Sequence, residues 1–159
     1  MKTIEINIPD GKKAIQEEKD GNIIIRFEAK PKAWTEMDSF EEFYEAADAE
    51  SRKSYDDDHS VSVDGIAYKQ LRLITRFTNT DPESGKRWIP DWNNSSQKKW
   101  GNYFNLSFGS GFSDSTSYYD YDDANASVGS RLCFETQRQA DGIRKKFYDL
   151  YIDYLTIKN

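Results

Sequence analysis

Two short stretches, SFEE at 39–42 and TQRQ at 136–139, constrain this chain more than any other feature, because each specifies where a helix begins. In both, a hydroxyl side chain stands three residues before a glutamate or glutamine. The pair can then satisfy, reciprocally, two backbone N–H groups at the helix start. Apolar residues follow each box at helical spacing: Phe40, Phe43, Tyr44 and Ala47 after the first, and Ala140, Ile143, Phe147, Leu150, Tyr151 and Tyr154 after the second. Between them, GIAYKQLRLITRFTN sets Ile66, Ala67, Leu71, Leu73, Ile74 and Phe77 in an apolar stripe opposite Lys69, Arg72 and Arg76. Asp64 is placed to cap this segment, and Thr80-Asp81-Pro82 to stop it. Three helices are therefore expected, at about 39–48, 64–78 and 136–156. Gly142 inside the last costs roughly 1 kcal/mol against alanine, which points to a close backbone contact there.

Strand signals frame these helices. Ile4, Ile6 and Ile8 alternate with polar residues until Pro9-Asp10-Gly11, and IIIRF follows the Asp-Gly turn signal in KDGN at 19–22. Further on, Phe104, Leu106 and Phe108 alternate with Tyr103, Asn105 and Ser107, and Leu132 and Phe134 with Arg131, Cys133 and Glu135. The expected fold is α+β, one domain over 1–159, with a small antiparallel sheet packed on the three helices. That sheet comprises the N-terminal strands and strands near 103–108 and 131–135, with YYDY at 118–121 able to join. The polar stretch 49–63 and the Gly/Ser-rich 109–117 read as mobile loops.

The charge is uneven. Net charge is −6, yet residues 36–64 hold eleven acids against Arg52 and Lys53, so that segment carries −9 and the rest of the chain +3. A bulk acidic balance therefore does not exclude an anionic partner. Cys133 is the single cysteine, so no internal disulfide and no cysteine-based metal site are expected. The N-terminus has no apolar signal region, and no apolar run reaches the roughly 18 residues of a membrane span. A cytoplasmic protein that does not enter a membrane is the expectation.

No catalytic pattern is complete in this sequence. His59 is the single histidine, beside DDD, and no nucleophile elbow accompanies it. DYDDAN at 120–125 resembles a calcium loop, but Ala124, Asn125 and Arg131 stand where a ligand, a glycine and a glutamate are needed. Pro90-Asp91 opens a nuclease-like pattern that Glu135-Thr136-Gln137 does not complete, for want of a lysine. No cofactor, no metal and no enzyme activity are expected.

Ten of the 23 aromatic residues fall between Trp88 and Tyr121, interleaved with Arg87, Lys98 and Lys99. Rings beside cations hold single-stranded nucleic acid by stacking. The same rings equally fill the core of an α+β domain. The residues that would form such a surface are Trp92, Lys98, Lys99 and Trp100, joined by Arg138 and Lys145 from the basic face of the last helix.

The order IPDGKKA, SFEEFYEA, AYKQLRLITRF, WIPDWNNSSQKKW (88–100) and GSRLCFET (129–136) resembles a family of small proteins carried by phages and prophages of gut bacteria. The resemblance spans most of the chain except the acidic stretch around 49–63. It brings no catalytic residue or cofactor with it. It implies a phage accessory protein acting in the bacterial host cytoplasm. The absence of catalytic parts, the segregated −9 segment and the small size point to a non-enzymatic interaction module that binds a host or phage protein. The alternative is a single-stranded nucleic-acid-binding protein using the aromatic and basic surface.

Overall fold

The computed structural model describes residues 5–107, 111–113, 117–120 and 131–156. The chain divides into two compact units, Met1–Lys32 and Ala33–Asn159. The fold class is α+β, as the patterning indicates.

The first unit is a hairpin of β1 (Lys12–Lys19) and β2 (Asn22–Ala29), antiparallel from Lys12 opposite Ala29 to Lys19 opposite Asn22. Its two-residue turn has positive φ at both positions, 52° at Asp20 and 75° at Gly21. That geometry matches the right-handed twist of paired strands, and it is why Asp-Gly marks the turn. The sequence placed the first strand at 4–8 instead. Residues 5–8 join no ladder, and Ile6 and Ile8 are exposed. The partner of β2 is KKAIQEEK, whose weak alternation conceals it; the turn, not the apolar pattern, sets its register.

The second unit holds the helices. A 3₁₀ turn at Trp34–Glu36 leads to α1 (Phe40–Ala46), where Ser39 and Glu42 form the expected capping box. Next comes α2 (Ala49–Asp56), where the sequence reading had a loop. It has no apolar stripe in sequence: Tyr55 packs on the rings of Phe40 and Tyr44, with centroids 5.1 and 5.6 Å away, and Glu50 pairs with Arg76 of the next helix. Asp48 caps it by accepting from the N–H of Ser51 at 2.8 Å. The central helix α3 (Val63–Thr78) is capped by Ser62 rather than Asp64; the Ser62 hydroxyl accepts from the N–H of Gly65. The long C-terminal helix is two helices, α4 (Gln137–Lys146) and α5 (Tyr148–Leu155), divided at Phe147, whose φ of −118° and ψ of 35° leave the helical region.

The strands of this unit are β3 (Lys99–Asn102), β4 (Asn105–Ser107), β5 (Gly111–Ser113) and β6 (Ser117–Asp120). Among the described residues, β3 pairs antiparallel with β6 and β4 with β5, and β1–β2 remains a separate ladder. The single sheet expected from the sequence is thus replaced by three two-stranded ladders. Residues 131–135 contribute one bridge only: Phe134 and Trp100 exchange N–H···O bonds of 2.8 and 3.0 Å. The stretch 109–117 contains β5 and the first residue of β6. The calcium-like stretch lies outside the described residues beyond Asp120, as do Phe108 and Tyr121.

The core gathers Met37 and Phe43, Leu71 and Ile74 from α3, Leu132 and Phe134, and Ile143 and Tyr151 from the last helices, all fully buried. Phe43 meets Phe77 and Phe147 edge to face, with ring centroids 5.3 and 5.5 Å apart. Gly142 is where the sequence anticipated a close approach: a Cβ there would lie 2.5 Å from Cζ3 of Trp34.

Candidate functional site

Asn79, the C-cap of α3, joins three backbone segments and is only 7% exposed. Its Nδ2 donates to the carbonyl of Cys133 at 2.7 Å, and its Oδ1 accepts from the N–H of Glu135 at 3.1 Å. Its own carbonyl accepts from the N–H of Trp88 at 2.8 Å. A carboxamide offers one donor edge and one acceptor edge, so here it does the work of a strand pair. The end of α3, the 87–92 segment and residues 131–135 are thereby held together. Gln97 closes the second of these segments, accepting from the N–H of Asp91 at 2.6 Å and donating to the carbonyl of Ile89 at 3.3 Å.

These three segments line a groove of about 390 Å³. Arg72, Thr75 and Arg76 come from α3, Arg87, Trp88 and Trp92 from the second segment, and Arg131 and Cys133 from the third. Four guanidinium groups and two indoles therefore share one concavity. Such a mixture suits an anion carried on a flat apolar body.

The arginines are partly engaged by the acidic stretch. Arg76 lies 2.8 Å from Glu50 Oε1, and Arg87 lies 3.5 Å from Asp48 and 3.9 Å from Glu50 Oε2. Arg72 lies 3.5 Å from Asp58 and donates to the Ser54 hydroxyl at 3.3 Å. The acids that look like a solvated run in the sequence are, in part, counter-ions for α3. Donor capacity is left over, however. Nε of Arg76, Nε of Arg87 and the hydroxyl of Thr75 are buried and have no hydrogen-bond partner among the described residues. A buried polar group in that condition costs about 1–3 kcal/mol, which a ligand accepting from it would recover.

Two titrating groups border the groove. Burial by itself would raise the Asp48 carboxyl, but hydrogen bonds from the Ser51 hydroxyl and N–H, with Arg87 and Arg76 nearby, hold it below its usual range. Burial pushes the Cys133 thiol up to about 11, against a smaller opposing pull from Lys99. The thiol is therefore protonated, and a poor nucleophile, at neutral pH.

Of the residues singled out from the sequence, Trp92 alone lines this groove; it is 38% exposed. Lys99 is 2% exposed and donates to the carbonyls of Asn94 (3.0 Å) and Gln97 (2.8 Å), with its Nζ 5.4 Å from the Trp92 ring centroid. It supports Trp92 from within the fold and offers nothing to a solvent-borne chain. Trp100 is half-buried against the core and bridged to Phe134, while Lys98 is exposed. Arg138 and Lys145 are exposed two turns apart on α4. The neighbouring Arg144 is buried, and Lys146 is bonded to the carbonyls of Thr35 and Met37 and to Asp38. Sequence reasoning did not group Arg72, Arg76, Arg87 and Arg131. The available signals were two arginines one turn apart on the polar side of α3 and another beside Trp88.

Comparison with protein-family models, with curated proteins and with solved structures returns no match. No helix among the described residues is long and apolar enough to cross a membrane.

Proposed function

We propose that this chain is a non-catalytic interaction module that holds an anionic side chain of a partner protein in the arginine- and tryptophan-lined groove. The observation that carries the reading is the convergence of Arg72, Arg76, Arg87 and Arg131 with Trp88 and Trp92 on one concavity of about 390 Å³. Clustered arginines recognising an acidic or phosphorylated motif are a recurring mode of peptide recognition, and a buried aromatic-arginine anchor concentrates binding energy. The resemblance to phage-borne proteins adds that the partner belongs to the bacterial host or to the phage. His59 is exposed between α2 and α3 and does not line the groove, and the Cys133 thiol is held protonated, so neither supports a catalytic reading.

The nucleic-acid alternative has less behind it. A single strand needs a track of stacking rings and available cations. Lys99 is bonded internally and Trp100 faces the core.

Affinity capture from bacterial lysate, with and without nuclease, tests the reading when run beside Arg131→Glu and Trp92→Ala. A stoichiometric protein that survives nuclease with the native chain and is lost with both folded variants is the expected result. Recovery of nucleic acid alone, abolished by nuclease and weakened steeply by salt, would overturn it.

A further inference from the structure

We infer that the groove is a phosphomonoester site: its occupant is a phosphate on a planar ring, and it takes the place of the Glu50 carboxylate on Arg76. The inference rests on the groove being the binding site, and it names the ligand chemistry.

Three observations lead to it. The first is the donor count. Nε of Arg76, Nε of Arg87 and the Thr75 hydroxyl are buried, unpartnered among the described residues, and belong to three side chains lining one groove. A phosphomonoester has three terminal oxygens for such a set, whereas a carboxylate has two and is matched by a single guanidinium fork.

The second is charge. Among the described residues, Arg72, Arg76 and Arg87 pair with Asp58, Glu50 and Asp48, and Arg131 adds a fourth positive charge to the lining, so the cluster holds one in excess. Glu50 is the acid most easily displaced, because its side chain is 77% exposed and held only by ion pairs. Without Glu50 the cluster carries two charges in excess, the complement of a phosphate dianion. Asp48 stays in place, since it also caps α2 through Ser51.

The third is shape. Trp88, Ile89, Pro90 and Trp92 give the groove an apolar side that inorganic phosphate leaves unused. Flat rings bury well against indole, so the phosphate is expected on an aromatic or heterocyclic body.

The test is titration of the full chain with phenyl phosphate, benzoate and inorganic phosphate, read by calorimetry. Phenyl phosphate is expected to bind at least about tenfold tighter than either of the others, the margin of one charge-assisted hydrogen bond. Glu50→Gln is expected to tighten phenyl phosphate binding severalfold. Arg76→Lys, which keeps the charge but loses Nε, is expected to weaken it about tenfold. Because Arg76 is partly buried, Arg131→Gln on the exposed rim provides a second weakening variant that leaves the fold undisturbed. Benzoate binding as tightly as phenyl phosphate, or Glu50→Gln weakening it, would overturn the phosphate assignment while leaving the groove as the site. Binding unaffected by both arginine variants would overturn the groove itself. A phosphotyrosine peptide and adenosine monophosphate form the last pair of arms. Preference for the peptide supports the assignment and its protein source; preference for the nucleotide supports the phosphate and overturns the protein-partner reading.

Discussion

Asn79 ties the end of α3 to residues 133–135 through its side chain and to the 87–92 segment through its carbonyl. Alanine there removes two bonds of 2.7 and 3.1 Å and strands a carbonyl and an N–H near the core. The expected cost is about 2–4 kcal/mol, read as a lowered midpoint in denaturant unfolding. A midpoint within experimental error of the native one would remove Asn79 from its joining role. Gly142 behaves contrary to helix propensity. Alanine would gain roughly 1 kcal/mol in a free helix, yet its Cβ would stand 2.5 and 2.6 Å from two carbons of the Trp34 ring. Thermal unfolding should show Gly142→Ala destabilised, and the additional change Trp34→Leu should recover part of the loss. An unchanged or raised midpoint in the single variant would contradict the packing described.

At the scale of elements, α2 shows best what charge contributes here. It has a cap, Asp48, ion pairs from Asp48 and Glu50 to Arg87 and Arg76, and a single ring, Tyr55, packed on Phe40 and Tyr44. Asp48→Ala should cost about 1 kcal/mol through the cap and should lower helicity by circular dichroism. Its carboxyl titrates below the usual range, so its contribution is complete above the unfolded value of 3.8 and is lost as pH falls further. An acid limb that persists unchanged in Asp48→Ala would show that other groups govern it. The elements legible from sequence were those with periodic apolar residues and side-chain caps: α1, α3 and the α4–α5 region begin within a residue or so of where the pattern put them. The Asp-Gly turn of the hairpin was legible for the same local reason. The elements that escaped, β1 and α2, are specified by what they pair with, and a sequence window does not contain the partner. The groove escaped likewise. Its arginines come from three segments, 11 to 59 positions apart in sequence, that Asn79 helps to bring together.

At the scale of the molecule, the unit from Ala33 onward should be sensitive to alkali. Burial raises the Cys133 thiol from 9.0 to about 11, and burial likewise raises the Tyr151 hydroxyl, with a smaller opposing effect from its bond to Asn102. In both, the unfolded chain loses its proton first, so stability is complete below about pH 9 and declines as pH rises toward 11. Denaturant midpoints between pH 8 and 11 should fall in the native chain and fall less in Cys133→Ala. In the proposed site, Arg76 and Arg87 hold donors, unpartnered among the described residues, for an anionic ligand. The most direct measurement follows the Nε–H resonances of arginine-labelled protein while phenyl phosphate is added. Arg76 and Arg87 are expected to shift and saturate together while Arg138 stays still. Saturable shifts at Arg138, with Arg76 and Arg87 unmoved, would contradict it.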